Sequence, residues 1–150
     1  MADALVLDTS ACFAFLEDEA GADVVESYLI EAKEGRMVIH LSFATLTEVE
    51  YITTQERSAS DAATALAKMK AWPIQWLHSD EALCGEAAKL KAAHKVSFAD
   101  AFVAATARRL DATLVHKDPD FDALKGIIKL HPLPPKQGKT TSASPRTRSA

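Results

Sequence analysis

Short apolar runs alternate along the chain with longer segments in which apolar residues recur every three or four positions. The short runs predict strands, and they cover residues 4–7, 37–41, 74–77, 113–116 and 127–130. The longer segments predict helices from about residue 10 and over 22–33, 45–56, 60–72, 79–93 and 97–110, with one helical turn at 121–124. Strands separated by helices pair mainly in parallel. The pattern therefore predicts a three-layer α/β/α sandwich with a mainly parallel sheet of about five strands.

The length and composition of the chain fit one globular domain. It has 150 residues, of which 48% are hydrophobic and 25% charged, so a disordered or fibrous protein is excluded. The first apolar run, residues 4–7, is too short to span a bilayer and lacks the features of a signal peptide. We therefore expect a cytoplasmic protein. Cys12 and Cys84 lie in predicted helices without metal-ligand spacing, and we expect both to be reduced thiols in the core.

The charge is unevenly distributed along the chain. The net charge is −4, yet residues 134–150 carry four basic residues and no acidic one, which leaves −8 for residues 1–133. The same stretch is rich in Pro, Ser, Thr and Gly and cannot bury enough apolar surface to fold. We predict a folded domain over 1–133 and a flexible basic tail over 134–150. An acidic domain lacks the footprint of proteins that bind nucleic acid through many phosphate contacts.

Four acidic residues are expected at one edge of the predicted sheet. Asp8 directly follows the first strand, and Asp118 follows the fourth strand by two residues. Glu48 and Asp100 fall in the first turns of the helices predicted over 45–56 and 97–110. In an open α/β sheet, ligands bind at the carboxyl ends of the strands, where the following helices begin. We expect the four carboxylates to converge there, on the assumption that the helix of Asp100 begins at the same edge.

A converging set of carboxylates indicates a divalent metal ion. Carboxylates a few ångströms apart raise one another's pKa and resist joint ionisation. Mg²⁺ relieves the repulsion, because it takes oxygen ligands and keeps several waters, and Mn²⁺ fits similarly. Such an ion lowers the pKa of a water and stabilises charge on a phosphoryl oxygen. The set of acids therefore favours a Mg²⁺- or Mn²⁺-dependent hydrolase of phosphodiester bonds.

Two of the acids also fit a structural role. Thr45 with Glu48, and Ser97 with Asp100, match the capping pattern in which a Ser or Thr precedes an acid by three residues. Capping does not explain why an apolar strand should be followed by Asp8, or why a fourth acid should share its edge. The four acids together favour a common site over separate caps.

Four segments of the sequence resemble the PIN domain, and in particular the VapC-like toxins of toxin-antitoxin pairs. The similarity runs over about residues 4–131 and is carried by the segments 5–11, 42–51, 97–107 and 118–121, of which 97–107 is the most specific. The resemblance implies that the catalytic acids are Asp8, Glu48, Asp100 and Asp118. It further implies that Asp8, Asp100 and Asp118 are the metal ligands.

Further residues are given supporting roles by the same resemblance. Thr9 or Ser10 supplies a hydroxyl near the metal, Ser97 opens the third segment, and Asp120 is the second choice for the final acid. Family members commonly carry Thr or Ser two residues before that acid, where this chain has His116. His116 either orients a water in place of the hydroxyl or caps the strand, and both interpretations stay open.

The resemblance also implies a biological role. It leads us to expect a ribonuclease that cleaves single-stranded or looped RNA and leaves 5′-phosphate and 3′-hydroxyl ends. It implies inhibition by a cognate VapB-like antitoxin and formation of a homodimer. The departure at His116 keeps open a PIN-like module that binds RNA or a protein without cleaving.

A phosphoacceptor signalling domain is an alternative of a different class. It is also a small α/β sandwich with an acidic magnesium pocket. However, it requires adjacent acids after the first strand and an acceptor Asp after the third. Asp8 has no acidic neighbour, and the third predicted strand is followed by His78, Ser79 and only then Asp80. The fit to this class is poor.

Overall fold

Five strands and six α-helices alternate along residues 3–135, the part of the chain that the computed structural model describes. The strands are β1 (Asp3–Leu7), β2 (Met37–Ser42), β3 (Gln75–Leu77), β4 (Thr113–His116) and β5 (Lys129–Pro132). The helices are α1 (Thr9–Leu16), α2 (Ala22–Lys33), α3 (Phe43–Glu56), α4 (Ala59–Lys70), α5 (Glu81–Ala93) and α6 (Phe98–Arg109). A 3₁₀ helix, Pro119–Leu124, follows β4. All but the first two residues of the predicted tail lie outside the described part.

The five strands form one parallel sheet in the order β3-β2-β1-β4-β5. The predicted mainly parallel sheet of five strands is confirmed. The chain moves outwards from β1 to β3 and then returns to the other side of β1, so the direction of winding reverses between β1 and β4. Ligands of open α/β sheets bind beside the carboxyl ends of the strands at such a reversal. Phosphoacceptor domains have the order 2-1-3-4-5, which this topology does not match.

Helices cover both faces of the sheet because side chains alternate along each strand. In β1, Val6 packs against residues of α5 and α6. Leu5 and Leu7 point to the opposite face and pack with residues of α1, α2, α3 and α4. The two cores confirm the three-layer sandwich. They also fix the N-termini of α1 and α6, which carry Asp8 and Asp100, relative to the sheet.

The start of α3 differs from the prediction, and this moves Glu48. Ser42 has an extended backbone and its hydroxyl accepts the N–H of Ala44, so α3 begins at Phe43. Thr45, which matched the capping pattern, does not cap this helix, because a hydroxyl at the end of β2 caps it three residues earlier. Glu48 therefore lies in the second turn of α3 and not in the first.

Other element boundaries shift by one or two residues. The cap side chains that accept helix N–H groups are Asp8, Ser58 and Asp80, so α1, α4 and α5 begin at Thr9, Ala59 and Glu81. The last strand was predicted at 127–130 and lies at Lys129–Pro132. The residues before it form a turn in which Gly126 has a φ of 82°, a conformation that glycine adopts at no steric cost.

One expectation about burial was wrong. Cys12 is buried in α1 as predicted, but Cys84 is exposed on α5. The two faces of α5 are rich in alanine, so its apolar periodicity did not identify the side that packs on the sheet. Within residues 3–135, every helix is too short or too polar to span a membrane.

Replacing a core residue of β4 should destabilise the fold far more than replacing an exposed residue. Leu114 is fully buried, whereas Ile30 on α2 is 52% exposed. Leu114→Ala leaves a cavity, and we expect it to lower the free energy of unfolding by about 2–5 kcal/mol. Ile30→Ala should change it by less than about 0.5 kcal/mol. Urea denaturation measures both, and similar losses would contradict the described packing.

Candidate active site

A cleft of about 720 Å³ opens at the carboxyl edge of the sheet, beside the ends of β1 and β4. This is the position at which the order of the strands reverses. The residues predicted for the site that line this cleft are Asp8, Thr9, Ser10, Glu48, Ser97, Asp100, Asp118 and Asp120. The structure thus brings all four predicted acids together. The assumption that the helix of Asp100 begins at this edge is correct.

Asp8 is held by hydrogen bonds at the junction of β1 and α1. Its carboxylate accepts the N–H of Ala11 at 2.8 Å and the hydroxyl of Ser10 at 2.8 and 2.9 Å. The backbone N–H of Lys117 donates to the same Ser10 oxygen at 2.9 Å. Asp8 is only 4% exposed. Ser10 therefore joins the carboxylate after β1 to the segment after β4, and fixes both sides of the cleft.

Glu48 reaches the cleft from the second turn of α3. The Thr9 hydroxyl donates to its Oε1 at 2.5 Å, and the hydroxyl of buried Thr45 lies 3.3 Å from Thr9 Oγ1. Thr45 thus supports Thr9 instead of capping the helix. The resemblance left open whether Thr9 or Ser10 supplies the hydroxyl of the site. In the structure each positions a different carboxylate, Thr9 that of Glu48 and Ser10 that of Asp8.

Asp100 lies in the first turn of α6. Ser97 caps this helix, and its hydroxyl accepts the backbone N–H of Asp100 at 3.0 Å. The predicted cap at Ser97 is confirmed. The cap and the site do not compete, because the backbone of Asp100 completes the cap while its half-buried carboxylate lines the cleft. The capping pattern and the acidic site therefore share the same residues.

Asp118 and Asp120 occupy the solvent-exposed side of the cleft. Asp118 has an extended backbone just before the 3₁₀ helix, and Asp120 lies in the first turn of that helix. Both negative charges act on Asp100, and that of Asp118 acts on Asp8 as well. Both carboxylates reach the cleft, and the charge of Asp118 raises the pKa of Asp8 as well as that of Asp100.

His116 lies behind Asp118 and does not line the acidic cleft. Its ring is 3% exposed, packs edge-on against Phe121 and borders a separate cavity of about 280 Å³. Nδ1 lies 2.8 Å from the backbone oxygen of Asp118, which can only accept, so Nδ1 carries the proton of this bond. The ring stabilises the turn that carries Asp118. This placement favours the strand-end role of His116 over the orientation of a water.

Seven further residues line the cleft although the sequence did not assign them to it, and Glu19, Tyr51 and Lys117 are the polar ones. Lys117 Nζ lies 3.3 Å from Glu19 Oε1, and the two side chains are 8% and 15% exposed. Tyr51 is one helical turn beyond Glu48, a spacing that could have identified it. No comparable signal pointed to Glu19, because the turn after α1 brings it to the cleft.

The carboxyl groups of the cleft have strongly perturbed pKa values. Burial raises the pKa of Asp8 from 3.8 to about 8, although the bonds from Ala11 and Ser10 oppose the increase. Burial also raises the pKa of Asp100 to about 6, and the charge of Glu48 is the next cause. Perturbed acids that share a cleft are typical of functional sites, where the perturbation serves binding or catalysis.

The chemistry of these side chains fits a hard divalent cation. Carboxylate oxygens are ligands that Mg²⁺ and Mn²⁺ prefer, and an ion would offset the repulsion between Asp8 and its acidic neighbours. Among the residues described, no three His, Cys, Asp or Glu side chains lie close enough together to form a ready-made metal site. Mg²⁺ commonly binds through one or two carboxylates and several waters, so the open arrangement fits it.

Comparison with models of protein families matches residues 5–127 to the PIN domain. The chain belongs to the PIN-domain family. The match runs from β1 through the 3₁₀ helix and includes the four acids predicted for the site, so the resemblance seen in the sequence is confirmed. No curated protein matches the sequence significantly.

Solved structures of similar fold include VapBC complexes and a VapC toxin. VapBC2 from Rickettsia felis, bound to a promoter DNA fragment, aligns with a TM-score of 0.70 and 16% identity over 87% of this chain and 99% of that chain. DNA-bound VapBC from Salmonella typhimurium aligns with a TM-score of 0.69 and 17% identity over 88% of this chain and 98% of that chain. VapC20 from Mycobacterium tuberculosis, a sarcin-ricin loop cleaving toxin, aligns with a TM-score of 0.61 and 20% identity over 79% of this chain and 93% of that chain. At these identities the similarity establishes the fold.

Asp8→Asn should stabilise the metal-free PIN domain, and the gain should increase with pH. Because the pKa of Asp8 is about 8 in the folded protein and 3.8 ordinarily, the folded state binds more protons between these values. Wild-type stability therefore falls as the pH rises from about 4 to about 8, whereas Asn does not titrate. At about pH 8, we expect the free energy of unfolding of the variant to exceed that of the wild type by more than about 1.4 kcal/mol, since one pKa unit corresponds to that energy.

Urea denaturation with a chelator, at several pH values across this range, measures the effect. Asp23→Asn is the matched control, because Asp23 is an exposed acid at the start of α2. Its difference from wild type should not follow the same trend. A pH-independent difference between Asp8→Asn and wild type would contradict the raised pKa of Asp8.

Proposed function

We propose that this PIN domain is a metal-dependent endoribonuclease that hydrolyses RNA phosphodiester bonds and is the toxin of a VapBC-type pair. The supporting observation is the convergence of Asp8, Glu48, Asp100 and Asp118 on one cleft of a PIN fold. The four acids come from four separate segments of the sequence. Separate caps would not require Asp8 to be buried near Asp100 and Asp118, an arrangement in which burial first, and the two charges after it, raise the pKa of Asp8.

Asp8, Asp100 and Asp118 are the proposed ligands of Mg²⁺ or Mn²⁺, either directly or through waters that the ion retains. Asp8 is fixed by Ser10 and Ala11 and supplies a rigid carboxylate at the base of the cleft. Asp118 is exposed and leaves room for water and substrate. When bound, the ion offsets the charge of these carboxylates, favours ionisation of a water and stabilises charge on the phosphoryl oxygens.

Glu48 and Asp100 are the candidates for the general base. The Thr9 hydroxyl holds Glu48 in the cleft. The raised pKa of Asp100, about 6, lies in the range that suits proton transfer near neutral pH. Either carboxylate can accept a proton from a water that attacks the phosphorus in line with the leaving 3′-oxygen. The products then carry 5′-phosphate and 3′-hydroxyl ends.

The toxin role is supported by the structures that this fold resembles. Two of them are VapBC complexes bound to DNA, and VapC20 is a toxin that cleaves the sarcin-ricin loop. By extension, we propose that the chain cleaves single-stranded or looped RNA in the cytoplasm. The same extension gives it a homodimeric state and a cognate VapB-like antitoxin as inhibitor.

Asp100→Asn should strongly slow RNA cleavage while retaining the fold. The substitution removes a charge that would bind the ion or accept a proton, and we expect kcat/KM to fall about 10²- to 10⁴-fold. The measurement is cleavage of single-stranded RNA with Mg²⁺ or Mn²⁺, which excess chelator should stop. Asp61→Asn, which changes an exposed acid on α4, should cleave like wild type.

Two outcomes of this assay would overturn the proposal. Full activity of Asp100→Asn would remove the acid cluster from the mechanism, and cyclic-phosphate product ends would indicate metal-free chemistry. If the wild-type protein neither cleaves RNA nor binds Mn²⁺ in calorimetry, the chain is a non-cleaving PIN-like module.

Expression of the wild-type chain should arrest bacterial growth, because a toxin of this type destroys RNA that the cell needs. Co-expression of a small DNA-binding protein from the adjacent gene should restore growth and inhibit cleavage at a fixed stoichiometry. Asp100→Asn at equal expression should not arrest growth. Growth arrest by Asp100→Asn would contradict the proposal that RNA cleavage causes the arrest. The absence of arrest by a wild-type protein that cleaves RNA would contradict the toxin role.

A further inference from the structure

One exposed aromatic side chain lines the acidic cleft, and another directly follows a residue that lines it. Of the large apolar residues in the described part, four are substantially exposed: Ile30, Tyr51, Phe98 and Ile127. The two aromatic ones belong to the helices that carry the cleft acids. Tyr51 lies three residues after Glu48 on α3, and Phe98 begins α6 two residues before Asp100. Their location next to the proposed catalytic acids suggests a role in substrate binding.

Helix α3 packs against α6, and the two helices meet in the first turns of α6. Phe43, at the start of α3, packs against Phe102 with ring centroids 5.1 Å apart. Further along α3, Tyr51 lines the same cleft as Ser97, the residue that precedes Phe98. The start of α3 therefore meets the second turn of α6, and a later turn of α3 shares the cleft with the residue that caps α6. Tyr51 thus lines the cleft, and Phe98 directly follows Ser97, which lines it too.

Phe98 is held in place although most of it is exposed. Its ring packs edge-on against Phe102 at 5.2 Å, and Phe102 is buried and packs on Phe43. Even so, Phe98 is 70% exposed and Tyr51 is 47% exposed. Exposing a phenylalanine forfeits the free energy that its burial would release. A fixed and exposed ring is well suited to contact a flat partner such as a nucleobase.

The charges of the cleft indicate that phosphate contacts supply little of the affinity for RNA. Six acidic side chains line it, namely Asp8, Glu19, Glu48, Asp100, Asp118 and Asp120. Lys117 is the one basic residue among those described that line it, and it is already paired with Glu19. Base stacking on aromatic rings is independent of charge and tolerates any sequence. It also requires bases that are not already stacked in a duplex.

We propose that Tyr51 and Phe98 form an aromatic pair that stacks on unpaired bases of the RNA and holds the strand across the acidic cleft. The proposal rests on the nuclease function proposed above and names the feature of the substrate that the site selects, namely unpaired bases. Double-stranded RNA presents no free base faces and is therefore a poor ligand.

RNA binding without cleavage tests this proposal. Fluorescence anisotropy of a labelled single-stranded RNA is measured with the Asp100→Asn protein, to which further substitutions are added. Tyr51→Ala and Phe98→Leu should each raise the Kd about 5- to 150-fold, because each removes one stacking ring. Tyr51→Phe and Phe98→Trp retain a ring and should bind like the parent. Ile30→Ala, an exposed apolar residue on α2, is the matched control and should not change the Kd.

Several outcomes would overturn the aromatic pair. One is that Phe98→Leu binds as well as Phe98→Trp, and another is that a duplex of the same sequence binds as tightly as the single strand. If sedimentation shows that Phe98→Leu changes the oligomeric state while the Kd is unaltered, a second protein chain covers this surface instead.

The nuclease proposal and the aromatic-pair proposal can fail separately, because cleavage and binding are measured independently. If the wild-type protein binds RNA through these rings but does not cleave it with Mg²⁺ or Mn²⁺, the aromatic pair stands and the nuclease proposal falls. If the wild-type protein cleaves RNA and the ring substitutions leave both Kd and KM unchanged, the nuclease stands and the aromatic pair falls.

Discussion

The cost of burying carboxyl groups close to one another is the constraint on which the structure of this site depends. Asp8 is almost fully buried at the end of the central strand, and Asp100 is half-buried nearby. Burial and neighbouring acids raise the pKa of both, so ionising them costs free energy that the fold alone does not return. The hydroxyls of Thr9, Ser10 and Ser97 hold the acids at these positions. A divalent ion bound at the cleft, as proposed here, would offset this cost by neutralising the carboxylates.

The same acids create a difficulty for a nuclease, because RNA is a polyanion. A bound ion offsets part of the negative charge, and Lys117 is already engaged by Glu19. Binding energy that does not depend on charge is therefore useful at this site. In the function proposed here, the exposed rings of Tyr51 and Phe98 supply it, while the acids of the cleft perform the chemistry. In this view the acidic cleft selects for a metal ion and the aromatic pair selects for unpaired bases.

Much of the fold was predictable because its signals are local. Apolar runs and helical periodicity identified all five strands and six helices, and the alternation of the two predicted the parallel sheet. The errors occurred where one hydroxyl or turn decides a boundary. Ser42 rather than Thr45 caps α3, which moves Glu48 to the second turn. Gly126 takes part in a turn that displaces β5 by two residues. Such choices depend on which hydrogen bond the folded chain satisfies best.

For the site, the sequence determined which acids can meet, because residues that follow parallel strands must share an edge of the sheet. It identified Asp8 and Asp118 on this basis, and Glu48 and Asp100 from their positions near the starts of helices expected at the same edge. Only the tertiary structure decided what surrounds them. It brought Glu19 to the cleft from the turn after α1 and turned His116 away from it. These placements result from packing between segments distant in sequence, and local spacing does not encode that packing.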